Sequence, residues 1–184
     1  MIVIAWVLVG LVALVLLYAV FTYNRLVRLR VRSENAWSQI DVQLRRRYDL
    51  IPNLVETVKG YASHERELFE EVARARSQAQ SATGVKGQAE AENQVTRSLR
   101  QLLAVAENYP DLKASQNFLA LQEELTGTES RIAYARQFYN DQVGALNTLI
   151  QQFPSRIVAS LGRFEPREFF EIEEPARGPV SVQF

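Results

Sequence analysis

Residues 2–48, IVIAWVLVGLVALVLLYAVFTYNRLVRLRVRSENAWSQIDVQLRRRY, join an uncharged apolar run to an amphipathic one, with no proline and no glycine after Gly10. The first charge is Arg25. A helix needs roughly 20 apolar residues to cross about 30 Å of hydrocarbon, and residues 2–23 meet that length. A cleaved signal peptide would carry a basic segment before its apolar core and a small-x-small site after it. No basic residue precedes this run, and YAVFTYNR (18–25) offers no such site. A buried core helix apolar on every face would need a far larger protein around it. The run therefore reads as an uncleaved transmembrane helix. Trp6 near one end and Tyr18, Phe21 and Tyr23 near the other suit the two interfaces of a bilayer. Gly10 has no small partner at G-x-x-x-G spacing, so no packing motif within the membrane is evident.

Outward from the span, Arg25, Arg28, Arg30 and Arg32 follow it, which puts the N-terminus outside and the remainder in the cytoplasm by the positive-inside rule. These arginines serve either as plain topology determinants or as contacts to anionic headgroups, each worth about 1 kcal/mol near the surface. Charge is uneven. Seven arginines stand against Glu34 and Asp41 between Arg25 and Arg47, and five glutamates against two arginines between Glu165 and Arg177. The net charge is zero, so no nucleic acid is implied as a partner. Cysteine is absent, which excludes disulfides and thiolate chemistry and is compatible with a reducing compartment. The length left beyond the span suits one soluble domain.

Trp37, Ile40, Leu44 and Tyr48 recur at three- and four-residue spacing, so the span continues as a helix. Asp49-Leu-Ile-Pro52 predicts a sharp turn, because Pro52 lacks an N–H and suits a first turn, with Asp49 as its cap. Apolar stripes predict further helices over 50–81, 89–107 and 111–153, the last closed by Pro154. SATGVKGQAE (81–90) reads as a loop, and Pro110 as the entry to the long helix. The expected fold is all-α: an N-terminal transmembrane helix continuing into an elongated antiparallel four-helix bundle with coiled-coil-like spacing. The expected domains are an anchor (1–24), a cytoplasmic bundle (25–153) and a C-terminal tail (154–184). In the tail SRIVASL forms a short helix closed by Gly162, and PARGPVSVQF at the end reads as disordered. Phe164, Phe169, Phe170 and Ile172 either fold back on the bundle or dock on a partner; folding back avoids exposed phenylalanines.

Catalytic patterns are missing. A di-metal carboxylate bundle needs two Glu-x-x-His pairs, and His64 is the single histidine. Serine or threonine triads would have to share it. No phosphate-binding glycine loop occurs. The expectation is no enzyme, no catalytic residue, no metal and no cofactor. Two polar clusters are less ordinary: Arg45, Arg46, Arg47, Tyr48 and Asp49 at the expected first turn, and Glu107, Asn108, Tyr109 and Asp111 at the third. An up-down topology brings both turns to the end away from the membrane. There they would form a structural clasp or a partner-binding surface.

AWSQIDVQLRRRYDLIPNLVETVKGYASHE (36–65), ENYPDLKASQNFLALQEELTGTESRIAYARQFYND (107–141) and NTLIQQFPS (147–155) closely resemble the bacterial LemA family. The resemblance implies a single-pass inner-membrane protein with an outside N-terminus and a cytoplasmic helical bundle. It implies no established enzymatic activity and carries over no catalytic residue. The family also includes a protein involved in forming magnetosome membranes, which implies membrane organisation. The expected function is thus a non-enzymatic membrane-anchored scaffold, with the lipid bilayer, an unidentified cytoplasmic or membrane protein and a possible homo-oligomer as partners. The alternative is a self-assembling protein that organises or remodels membrane.

Overall fold

The computed structural model describes residues 1–172, and every regular element among them is helical. The elements are α1 (Ile2–Lys59), α2 (Arg66–Ser81), α3 (Gly84–Ala106), α4 (Pro110–Lys113), α5 (Gln116–Gln151) and α6 (Ser155–Leu161). The expected disorder of PARGPVSVQF falls outside the described residues. The chain divides into two compact units, one formed by Met1–Asp41 with Ala133–Phe169, the other by Val42–Ile132 with residues 170–172. Helix α1 contributes to both, and so does α5.

In the first unit the side chains of α1 from Ile2 to Tyr18 are all exposed, which leaves a helix long and apolar enough to cross a membrane. The pattern changes where the arginines begin. Leu26, Ser33, Ala36 and Ile40 are buried, while Arg25, Arg28, Arg30 and Arg32 stay exposed. Leu26 packs in one cluster with Leu146 and Ile150 of α5 and Ala159 of α6, backed by Leu29, Leu149, Val158 and Phe164. Burying each leucine or isoleucine of this cluster stabilises by about 1.5–3 kcal/mol. Trp37 lies against Tyr139, ring centres 5.4 Å apart. Helix α6 matches the expected SRIVASL turns and ends at Gly162. A Cβ on Gly162 would come 2.6 Å from the Phe164 ring and 3.3 Å from the Tyr23 ring, so glycine lets the two rings close over this turn. The segment after it lies along α5. Asn147 donates Nδ2–H to the Arg167 carbonyl (2.8 Å) and accepts the Arg167 N–H at Oδ1 (2.8 Å), and the Tyr139 hydroxyl donates to the Glu168 carbonyl (2.9 Å). Phe164 is half-buried against Tyr23 and Phe169 is exposed, while Phe170, which belongs to the second unit, is fully buried.

In the second unit, Leu44, Ile51, Leu54 and Val58 of α1 are buried, as are Phe69 and Val72 of α2, Val95, Leu99 and Leu102 of α3, Leu112 of α4 and Phe118 and Leu125 of α5. The spacing by threes and fours is the stripe read in the sequence. The boundaries differ in three places. The turn expected at Asp49–Pro52 is absent: α1 passes through Pro52 and stops at Lys59, and the break falls at residues 60–65. A proline inside a helix leaves the carbonyl four residues earlier without its N–H partner. Here that carbonyl belongs to Tyr48, and Arg76 Nε of α2 donates to it at 2.7 Å, replacing the missing bond. The loop expected over 81–90 shrinks to Ala82 and Thr83, because Ala89 is buried and Gln88 donates to the Ala79 carbonyl (3.1 Å), closing α2 and α3 into a hairpin. Gly84 takes φ +76° at that turn, a conformation glycine adopts freely. The helix expected over 111–153 is interrupted after α4, where the Ala114 and Ser115 N–H groups bond back to the Pro110 and Leu112 carbonyls, and it resumes as α5.

Candidate functional site

The inward stripe of the second unit contains ions. Arg47 is 1% exposed and Glu92 is 0% exposed. Positions 44, 47/48, 51 and 54 share one face of α1, and 92, 95, 99 and 102 one face of α3, so helical spacing itself sends both charges inward. Arg47 Nη2 donates to Glu92 Oε2, and the Tyr48 hydroxyl donates to Glu92 Oε1. Gln88 Nε2 reaches Glu92 Oε1 and the Tyr48 oxygen, both at 2.9 Å. From α5, Glu129 accepts Arg47 Nη1 at 2.8 Å and 3.1 Å on its two oxygens, and Thr96 Oγ1 lies 3.4 Å from the same nitrogen. Glu129 is the opening of the cluster to solvent, with a side chain 41% exposed.

Burial alone would lower the Arg47 pKa, but Glu92 and Glu129 outweigh it and hold the guanidinium above its ordinary value. Burial, with the Glu92 carboxylate beside it, pushes the Tyr48 phenol far up. One cation thus sits between two carboxylates, with a neutral hydroxyl and an amide closing the inner one. An isolated buried carboxylate costs several kcal/mol, so Glu92 is tolerable only because these donors converge on it. Both carboxylate oxygens of Glu92 are engaged, Oε2 by Arg47 and Oε1 by Tyr48 and Gln88, while the buried Arg47 Nε has no hydrogen-bond partner. The cluster ties α1, α3 and α5 together.

The expected clasp residues are therefore redistributed. Arg45–Asp49 lie inside the last part of α1, not at a turn. Arg46 pairs with Glu124 (2.8 Å) and Arg47 with Glu92 and Glu129, so the acidic partners come from α3 and α5 rather than from Glu107 and Asp111. Asp49, Asn108 and Asp111 are exposed and Tyr109 is half-buried before α4. Glu92 escaped the sequence reading. The available signal was a glutamate standing on an apolar stripe of α3, facing an arginine standing on one of α1.

In the first unit, Glu34 accepts from Arg30 (3.3 Å) and from Arg167 Nη2 (2.5 Å). The little burial Glu34 has would raise its pKa, but Arg167 and then Arg30 hold it below the usual carboxylate value. Arg30, Arg163, Glu165 and Arg167, with Leu146, Phe164 and Pro166, line a cavity of about 230 Å³. His64 is exposed, and among the described residues no group of three or more His, Cys, Asp or Glu is placed to hold a metal ion.

Residues 36–184 match the LemA family. The chain is similar to magnetosome proteins MamQ 1 and MamQ 2 of Paramagnetospirillum magneticum, each 24% identical over 180 residues, covering 84% of this chain and 66% of the relative. It is also similar to protein LemA of Metamycoplasma hominis, 28% identical over 137 residues, covering 74% of this chain and 63% of that one. The chain therefore spans a little under two thirds of the length of these relatives.

Proposed function

The chain belongs to the LemA family, and from that premise we propose that it is a non-enzymatic, membrane-anchored helical protein that presents an interaction surface to cytoplasmic or membrane partners. One observation carries this reading: α1 is a single helix that begins with an exposed apolar run and ends among buried side chains. An exposed apolar surface of that size needs an apolar solvent. The tightly paired ions of the helical part support a structural rather than a chemical role for its buried charges.

The second reading is self-assembly along a membrane, favoured by relatives named as magnetosome proteins. In-membrane crosslinking of the full chain tests both. Links between copies support assembly, links to other proteins support a scaffold, and an uncrosslinked monomer overturns both. Orientation is tested by alkylating single cysteines, which this cysteine-free chain accepts without background. Labelling from outside the membrane at position 2 but not at position 77 is the expected result.

A further inference from the structure

Three features converge on the turn between α5 and the end of the chain. Phe153 (77% exposed), just before α6, and Ile157 (55%) and Leu161 (82%), four residues apart along it, form an apolar patch. The opposite side of α6, through Ala159, packs on Leu26 just beyond the apolar run of α1, and Phe164 meets Tyr23 edge-on at 5.6 Å. The patch is thus continuous with the surface that would enter a bilayer. In the same unit lies the cavity of about 230 Å³, lined on its polar side by arginines 30, 163 and 167 and one acid, Glu165, and on its apolar side by Leu146, Phe164 and Pro166. Arg30 and Arg167 share the single carboxylate of Glu34, and Arg163 has no ion-pair partner among the described residues. Arg163 also holds φ +52°, unusual for a residue with a side chain. Arg30 lies seven residues past Tyr23, roughly 10 Å farther along the helix, which is headgroup depth when Tyr23 marks the hydrocarbon edge.

We propose that residues 153–167 form a second membrane contact: Phe153, Ile157 and Leu161 enter the headgroup–acyl boundary, and Arg30, Arg163 and Arg167 hold the phosphate of an anionic phospholipid. Arginine matches phosphate oxygens with paired N–H donors, and the apolar wall receives the start of an acyl chain, which free phosphate lacks. The inference rests on the anchoring reading above, but its failure can be told apart.

The test uses the full chain in phosphatidylcholine vesicles with and without phosphatidylglycerol. An environment-sensitive dye is placed on Ile157→Cys or, separately, on Val12→Cys, with spin-labelled lipids as quenchers. The expected result is quenching at position 12 in both vesicles, and quenching at position 157 that deepens with phosphatidylglycerol and survives added inorganic phosphate. A quenched position 12 with an unquenched position 157 overturns this inference and leaves the anchor standing. No quenching at either position overturns the anchor as well. Arg163→Gly removes the charge while suiting the backbone. It should keep the melting temperature and weaken the phosphatidylglycerol preference by about fivefold, the value of one basic residue at an anionic surface. An unchanged preference overturns the arginine part, and loss of the preference when inorganic phosphate is added assigns the cavity to free phosphate and overturns the lipid assignment.

Discussion

Arg76 Nε stands 2.7 Å from the carbonyl oxygen of Tyr48, the one carbonyl of α1 that Pro52 deprives of its helical partner. The two residues are 28 positions apart. A local defect in one helix is thus repaired by a side chain from the next, and α1 runs on to Lys59. Arg76→Ala should leave the carbonyl unsatisfied and cost about 1–3 kcal/mol. In a Pro52→Ala background residue 52 regains its N–H, so the same Arg76→Ala change should cost much less. Urea unfolding of the four proteins gives the coupling directly. Additive losses would show that Arg76 acts elsewhere.

The same contact explains how far the fold was legible in the sequence. The apolar run and the stripes were readable because length and a 3.6-residue period are local properties. The end of α1 was not, since the rule that proline breaks a helix assumes that nothing else supplies the lost donor. The loop at 81–90 was over-read for a similar reason: glycines cost a helix about 1 kcal/mol each, but Gln88 and Ala89 gain contacts from other helices that composition does not reveal. The buried ions stay hidden because Arg47 stands in a run of three arginines and Glu92 belongs to no motif, although each holds a position on an apolar stripe.

Glu92 and Glu129 both contact Arg47, but burial separates them. Glu92→Ala leaves a buried guanidinium facing only the exposed partner and should cost about 3–5 kcal/mol. Glu129→Ala removes a half-exposed partner and should cost about 1 kcal/mol or less. Denaturant midpoints of the two variants at equal slope check this order. Equal losses would contradict the burial argument.

Tyr48 ties the cluster to pH. Its phenol is raised above the ordinary value of 10.0 by burial and by Glu92. A group raised in the folded state contributes stability that is complete below its unfolded value and is lost as pH climbs from there toward the folded one. Stability should therefore fall above about pH 10 as unfolded molecules ionise while folded ones do not. Tyr48→Phe should be about 1–3 kcal/mol less stable at neutral pH, because Glu92 loses a donor. Its decline above pH 10 should be shallower than in the unmodified protein. Chemical denaturation from pH 8 to 11 measures both slopes, and parallel curves would remove Tyr48 from the account.

Two glycines in unlike settings test the backbone. Gly84 has φ +76° with nothing near its would-be Cβ, and Gly127 lies within α5, also with open space around it. Gly84→Ala should destabilise by about 1 kcal/mol through strain alone. Gly127→Ala should stabilise by about 0.5–1 kcal/mol through helix propensity. The opposite signs separate backbone conformation from packing, which neither substitution alters, and thermal melts of both variants read them out.

The segment after α6 is bonded to side chains of α5, so removal of those bonds should be visible locally. Asn147 makes two hydrogen bonds to Arg167, one from each end of its amide, and Tyr139 makes one to the Glu168 carbonyl. Asn147→Ala deletes the pair, so the Arg167 N–H loses its acceptor and should exchange hydrogen at least several-fold faster. Tyr139→Phe keeps the ring against Trp37 and removes only the hydroxyl, so protection of that N–H should change little while the hold on the Glu168 carbonyl is lost. Helices α2 and α3 belong to the other compact unit and should keep their exchange rates in both variants. Hydrogen exchange with mass spectrometry resolves the segments, and acceleration spread evenly over the chain would mean that Asn147 supports the whole fold rather than this strap.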